Sequence, residues 1–374
     1  MPGTETQAQE TMLLNMGPQH PGTHGVLRLK LTLDGERVLD VEPIIGYLHR
    51  SLEKLAERGR YLHFIPLTNR LDYVASFSYE AAYVKTVEEL IDLEVPERAN
   101  YIRVIGLELD RIQSHLVWLG TFGLDIGALN ALWYTFRERE MILDLFQMLT
   151  GARMNLNFNR FGGVKADLPE GFEVKVRAVL DEIFKKVDEY EDFLKESDTF
   201  LLRTRGVGVL KPQDAIDQGT TGPNLRASGV KFDLRKDDPY FAYGDLDFEV
   251  PIQGAGDCYA RFIVRMEEIR QSVKIIRQAL DRLPNGPVIA LGLEKGWQLL
   301  VKPDGETYGH LEGPRGEIGF YIVGDGTTRP YRVKIRSPSF QNLSALPDMV
   351  RGALIPDLVA TNGSIDLVLG DVDR

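Results

Sequence analysis

One cysteine, Cys258, in 374 residues is the sharpest exclusion in this chain. It rules out a disulfide framework within the chain. It also rules out a self-contained iron–sulfur cluster or thiolate zinc site, each of which needs several cysteines. Positive charge is short as well: 44 Lys and Arg against 55 Asp and Glu leave a net charge of −11, opposite to the basic face of a nucleic-acid binder. No long apolar run is uninterrupted. The nearest is the nineteen-residue stretch Leu116–Tyr134, charged only at Asp125. A bilayer span needs roughly 20 apolar residues, and a central Asp costs about 2.5–3.5 kcal/mol on insertion scales. Gly120, Gly123 and Gly127 break the stretch, so it reads as a buried turn between core helices. Met1–Glu10 is polar and has neither a secretory core nor an Arg-rich transit pattern, which predicts a cytoplasmic protein with a flexible N-terminus over 1–10. The G-x-G-x-x-G, P-loop, G-x-S-x-G and H-E-x-x-H patterns are all missing, and with them the sequence signal for a dinucleotide, phosphate, serine-hydrolase or zincin site.

Against these absences stands Gly17-Pro18-Gln19-His20-Pro21-Gly22-Thr23-His24-Gly25. Two prolines and three glycines forbid both helix and regular strand, and the segment presents His20 and His24 from a stiff loop. Three readings are open: metal ligation, a proton donor beside a structural hydrogen-bonder, or two rings bracing a turn. The loop precedes a hairpin signal. Leu27, Leu29, Leu31 and Leu33 alternate with polar residues, Asp34-Gly35 turns, and Arg37–Glu42 returns, so 11–48 is expected to be a β region carrying the histidine loop.

From 49 to 283 the period becomes helical. Stripes run over Ile102–Leu116, Phe172–Leu194 and Ile263–Leu280, and Leu283-Pro284-Asn285-Gly286 ends the last. With Tyr61–Leu93 and Gly127–Leu149 added, the expectation is a central bundle of long helices whose stripes are core. An irregular excursion interrupts it at about 203–257. The remainder, 284–374, reads as a second β region, with Glu317–Val323 and Tyr331–Ile335 as strands, and an acidic tail at Gly370–Arg374. The predicted class is α+β, predominantly α, with small β regions at both ends.

Two further features are candidates for chemistry. Arg70-Leu71-Asp72-Tyr73, placed by its periodicity inside the first long helical segment, reads either as a surface ion pair with a core tyrosine or as part of a site. Asp125, inside the apolar stretch, reads as a buried carboxylate needing a partner, with a histidine the favoured one. Cys258 reads as packed, because no acid–base pair lies beside it.

Taken with Ile45–Arg50, Arg137-Glu138-Arg139-Glu140, Leu225–Gly229 and Gly370–Arg374, the histidine loop and Arg70–Tyr73 resemble the D subunit of respiratory complex I, from about Thr11 to Arg374. That family is the hydrogenase-like large subunit of NADH:quinone oxidoreductase, related to the large subunit of nickel–iron hydrogenases. The resemblance implies a quinone cavity where the metal cavity was: the positions of the two thiolate pairs are Asp72 with Ala75 and Val368 with Asp371, none able to supply a thiolate. It implies no cofactor on this chain alone. The iron–sulfur cluster belongs to a neighbouring iron–sulfur protein, the B subunit of the complex, and NAD to a distant one. The C subunit and the membrane-embedded H subunit are further partners. Tyr73 and His24 would bind the quinone headgroup and donate protons, with His20 nearby and Asp125 as partner of His24. Arg70 would sit near the cluster. Location would be peripheral to the plasma membrane on its cytoplasmic side, in an ion-translocating complex.

Departures from the family pattern are specific. Gly22 replaces the usual Ser, Ser51 the usual Gly and His63 the usual Gln. Asn155 replaces a cluster-proximal histidine, which predicts a cluster potential with weak pH dependence and a low-potential menaquinone or plastoquinone. The stretch 284–313 is short, as in complexes fed by ferredoxin or a reduced deazaflavin, and this leaves the donor open. Competing readings are a hydrogenase-type metal site, opposed by the missing cysteines, a scaffold that only docks the cluster-bearing partner, and a zinc hydrolase using His20 and His24.

Overall fold

A computed structural model describes residues 11–19, 25–293 and 300–374. The chain opens with an antiparallel sheet in the order β1 (Met12–Met16), β2 (Arg28–Asp34), β3 (Arg37–Ile44). The β2–β3 hairpin turns at Gly35, whose φ of +59° suits a residue without Cβ. Leu29, Leu31 and Leu33 all face inward, as their alternation predicts.

Five helices follow: α1 (Leu52–Arg58), α2 (Tyr61–Thr68), α3 (Ser76–Leu90), α4 (Glu97–Asp125) and α5 (Leu129–Thr150). The 29-residue α4 is the axis of the molecule, about 43 Å long at 1.5 Å per residue. It packs against α3 and α5 and is buried on nearly every side through its middle. At Gly106 an added Cβ would fall 2.3 Å from the Phe77 ring, so glycine sets how closely α3 approaches. A two-residue β pair, β4 (Asn159–Arg160) with β5 (Gly163–Val164), leads to the amphipathic α6 (Phe172–Lys195) and α7 (Asp198–Thr204). Short helices α8 (Pro212–Asp217), α9 (Pro223–Ala227) and α10 (Leu234–Asp237) punctuate the excursion before α11 (Cys258–Asp281) packs on α4 and α6. Cys258 is buried at the start of α11.

A second antiparallel sheet, β6 (Asp304–Gly313), β7 (Gly316–Asp325), β8 (Arg332–Arg336), lies on α3. Four more helices close the chain: α12 (Pro338–Ser344), α13 (Leu346–Val350), α14 (Ile355–Ile365) and α15 (Leu369–Asp373). The protein is thus α+β and predominantly α. Three expectations are corrected here. The β region expected over 284–374 ends with β8, and from Pro338 the chain is helical. The helix foreseen across Tyr61–Leu93 is two helices, and Arg70–Tyr73 lies in the irregular turn between them. The acidic tail is the buried α15, with Leu369, Asp371 and Val372 inaccessible.

One large apolar core runs through the α-helical body and under the second sheet. A smaller core joins the two ends of the chain: Leu29, Leu31 and Leu33 of β2 pack with Leu346, Leu358 and Leu369. Backbone bonds reinforce this seam, Val38 N donating to Ala353 O at 2.8 Å and Gly352 N to Val38 O at 2.7 Å.

Candidate functional site

The turn between α2 and α3 is built around Asp72. Its Oδ1 accepts the N–H groups of Val74 and Ala75, both at 3.0 Å, the local capping that favours a turn over continued helix. Its Oδ2 accepts Nη1 of Arg315 at 2.6 Å. Arg315 stands in the turn between β6 and β7 and is 2% exposed. The same guanidinium donates to Ser114 Oγ at 3.1 Å, to Asp366 O at 3.0 Å and to Asp366 Oδ1 at 3.0 Å. Asp371 lies close by, accepting from Tyr79 Oη and from Ser339 N at 3.1 Å. Three carboxylates, Asp72, Asp366 and Asp371, therefore gather about one buried arginine. Burial, with Asp371 and Asp366 adding to it and Arg315 opposing, pushes the Asp72 carboxyl up to about 6.

Tyr73 follows Asp72 and turns outward: it is 41% exposed while Asp72 is buried. Burial of the phenol and the neighbouring Asp72 raise its pKa, against the pull of Arg315 and Arg50. It is a neutral O–H donor at physiological pH. Behind it, α15 approaches so closely that a Cβ on Gly370 would meet Leu71 O at 2.7 Å and Tyr73 Cε1 at 3.4 Å. Arg70 donates to Pro66 O, and Arg50 donates to Arg70 O. The 46–50 segment is fixed in turn by Asp373, whose carboxylate accepts Gly46 N at 2.8 Å and Leu48 N at 2.6 Å. Three distant segments thus converge on the Arg70–Tyr73 turn.

His20 and His24 lie outside the described residues. Gly25, the first described residue after them, sits where a Cβ would touch the Leu369 side chain at 3.7 Å, one residue from Gly370. Asp125 ends α4 and is half-buried, a correction to the fully buried carboxylate expected of it. A cavity of about 330 Å³ begins at Ile126, immediately after it, lined also by Leu129, Phe193 and Phe200. Asn155 is in the loop after α5 with φ of +53°. That loop and the Arg70 turn are tied to one carboxylate: Glu80 of α3 accepts the N–H of Asn159, and the orientation of the Asn69 amide that satisfies its surroundings donates to Glu80 Oε2 at 3.2 Å and to Ser76 O at 3.1 Å.

Sequence reasoning missed Arg315 and Asp366 entirely. A charged residue between two glycines, in Gly313-Pro314-Arg315-Gly316, was the available signal. It also missed the ionic core beneath. Arg226 of α9 donates to Glu268 Oε1 at 2.7 Å and Glu312 Oε1 at 2.8 Å, and Arg235 to Asp233 Oδ2 at 2.6 Å and Glu108 at 3.2 Å. His115 Nε2 meets Glu268 Oε2 at 2.8 Å, and burial lowers its pKa, so a neutral ring donates. Arg111 donates to the carbonyls of Glu312 at 2.6 Å and Gly313 at 2.9 Å. The ionic core therefore grips the strand end that delivers Arg315.

The central junction of this mostly helical chain thus sets a buried arginine among carboxylates, with an outward phenol beside them. A model of the family described as respiratory-chain NADH dehydrogenase, 49 Kd subunit, matches residues 125–374. The chain is 52% identical to the D subunit of NADH-quinone oxidoreductase from Dehalococcoides mccartyi, over 98% of this chain and 99% of that one. It is 50% identical to the Geotalea uraniireducens protein of the same name, over 98% and 99%. It is 49% identical to the H subunit of NAD(P)H-quinone oxidoreductase from Thermosynechococcus vestitus, over the full length of both. The chain belongs to the family of the 49 kDa subunit of respiratory NADH dehydrogenase, the D subunit of NADH-quinone oxidoreductase, and is part of that oxidoreductase complex. Among the described residues no helix is long and apolar enough to cross a membrane.

Proposed function

We propose that this chain walls the quinone headgroup cavity together with the iron–sulfur B subunit and supplies protons to the reduced headgroup. The complex is then proton-pumping, with NAD bound at a distance, the C subunit and the membrane-embedded H subunit as neighbours, and this chain peripheral to the cytoplasmic face of the plasma membrane. Quinone reduction takes up two electrons and two protons, and each ring oxygen ends as a hydroxyl. The electrons come from the partner's cluster and the protons from O–H or N–H groups at the cavity wall. Tyr73 and His24 are the donors, His20 lines the same loop, and Asp125 partners His24. Arg70 and Asn155 face the cluster.

The observation that carries this reading is Tyr73: a half-exposed neutral phenol on a turn whose backbone and neighbouring carboxylate are locked by buried ions. A donor must be presented to substrate yet held still, and this turn does both. Tyr73→Phe removes only the hydroxyl. Quinone reductase activity of membranes carrying it is expected to fall by about 10²-fold or more, in line with loss of a positioned proton donor, with complex assembly and the cluster signal retained. Surviving activity would reassign the headgroup site, and lost assembly would favour a docking scaffold.

Asn155 makes a second prediction. Without an ionisable imidazole at this position, the midpoint potential of the partner's cluster is expected to vary little between pH 6 and 8. Asn155→His should steepen it toward about 59 mV per pH unit, the limit for one electron coupled to one proton. A steep slope in the unsubstituted complex would sink the assignment. A flat slope of this kind also supports a low-potential menaquinone or plastoquinone as substrate.

A further inference from the structure

We propose that Arg315 is a positioning residue for quinone reduction, an internal cation that fixes Asp72 and thereby aims Tyr73. This rests on the assignment of Tyr73 as proton donor. Burying a guanidinium costs several kcal/mol unless its charge and donors are met. Here Nη1 is shared by Asp72 and Ser114, Nη2 goes to Asp366 Oδ1, and Nε to Asp366 O, so the fork is used on both edges. The backbone carrying it is as constrained as the side chain. Asn342 Nδ2 donates to Arg315 O at 3.0 Å, and a Cβ on Gly316 would fall 2.4 Å from Thr221 Cγ2.

The line of force to Tyr73 is short. Arg315 holds one oxygen of Asp72, and the other oxygen holds the N–H groups of Val74 and Ala75. Tyr73 lies between these two grips, with Gly370 of α15 against its ring. Asp366, the second anchor of Arg315, closes α14 just ahead of α15. One cation thus locks the turn bearing the phenol to the end of α14, just ahead of the helix that backs the ring. A point charge such as an ammonium could neutralise Asp72 or Asp366, but it lacks the planar fork that binds both in fixed directions.

The test uses the assembled complex, with turnover and quinone KM measured alongside the cluster signal. Arg315→Lys keeps the charge and loses the fork. It is expected to assemble and to lower kcat about ten-fold while quinone KM changes less than two-fold. Arg315→Gln/Asp366→Asn removes one charge of each sign and should lower kcat further at similar KM. Unchanged kcat in the assembled Arg315→Lys complex would overturn the proposal. So would failure of both variants to assemble, which would confine Arg315 to folding. If only the double variant fails to assemble, the kcat of Arg315→Lys decides. Tyr73→Phe measured in parallel separates the two claims. Wild-type activity there rejects the donor assignment. A large loss there with none in Arg315→Lys rejects only the positioning role.

Discussion

Arg226→Met is expected to leave almost no assembled complex, because it removes a buried cation that two interior carboxylates share. Arg226 is inaccessible to solvent, and it is the shared counter-ion of Glu268 and Glu312, both equally buried. Glu268 is held well below the usual carboxylate range: burial pushes it up, and Arg226, His115 and Arg111 outweigh that. Removing one partner of such a pair costs about 3–5 kcal/mol, because the remaining charge stays desolvated. That is a large share of the roughly 5–15 kcal/mol that typically separates folded from unfolded domains. The damage also spreads, since Glu312 begins the turn that Arg111 grips and Arg315 occupies. The control is Arg177→Ala, which breaks the exposed pair with Asp281 and should cost less than about 1 kcal/mol. Yields of intact complex and urea midpoints check both, and equal behaviour of the two variants would refute the argument. Arg226→Met/Glu268→Gln should recover part of the loss, because it removes a charge of each sign from the same contact.

What could be read in the sequence follows from where the determining contacts lie. The inward leucines of β2 and the stripe of α6 were legible because one face of each element meets the core and the other meets water, so burial is written as a period. The turn at Arg70–Tyr73 was not. Its residues suit a helix, and the helix is broken by Asp72 capping Val74 and Ala75 while Arg315, 243 positions away, holds the other oxygen. Helices α12–α15 were invisible for a related reason. They are short and largely buried, so no polar face alternates with an apolar one, and their stability comes from the seam with β2 and β3. Asp125 was misjudged because apolar neighbours in sequence do not bury a helix end. Asp72 and Tyr73 could be singled out through family resemblance. Arg315 needed the fold, because its importance lies in what it touches.

Glu80→Gln should change how stability responds to pH. Glu80 is fully buried, and burial pushes its carboxyl up to about 8, with Arg160 and the N–H groups of Asn159, Asn69 and Phe158 acting in the other direction. The folded protein therefore holds a proton on Glu80 at neutral pH that the unfolded chain, with a carboxyl near 4.5, has released. Where the folded state binds the extra proton, stability falls as pH rises. Glu80 thus favours the fold fully below pH 4.5 and loses that contribution between 4.5 and about 8. The slope in that window is about 1.4 kcal/mol per pH unit, so the loss over it is on the order of a few kcal/mol. A glutamine keeps an oxygen for the Asn159 N–H and cannot ionise. The thermal midpoint of the Glu80→Gln complex should therefore gain on the unsubstituted complex steadily from about pH 5.5 to 7.5 and level off above 8. Part of the wild-type decline will persist, because Asp110, pushed by burial to about 7, and Asp72, at about 6, act with the same sign. Parallel pH curves for the two proteins would mean that Glu80 is ionised in the fold. Glu80 also ties Asn69, beside Arg70, to the Asn155 loop. Its proton is therefore held at the link between the two segments assigned to the cluster side of the site, kept there by burial against the N–H donors that both segments supply.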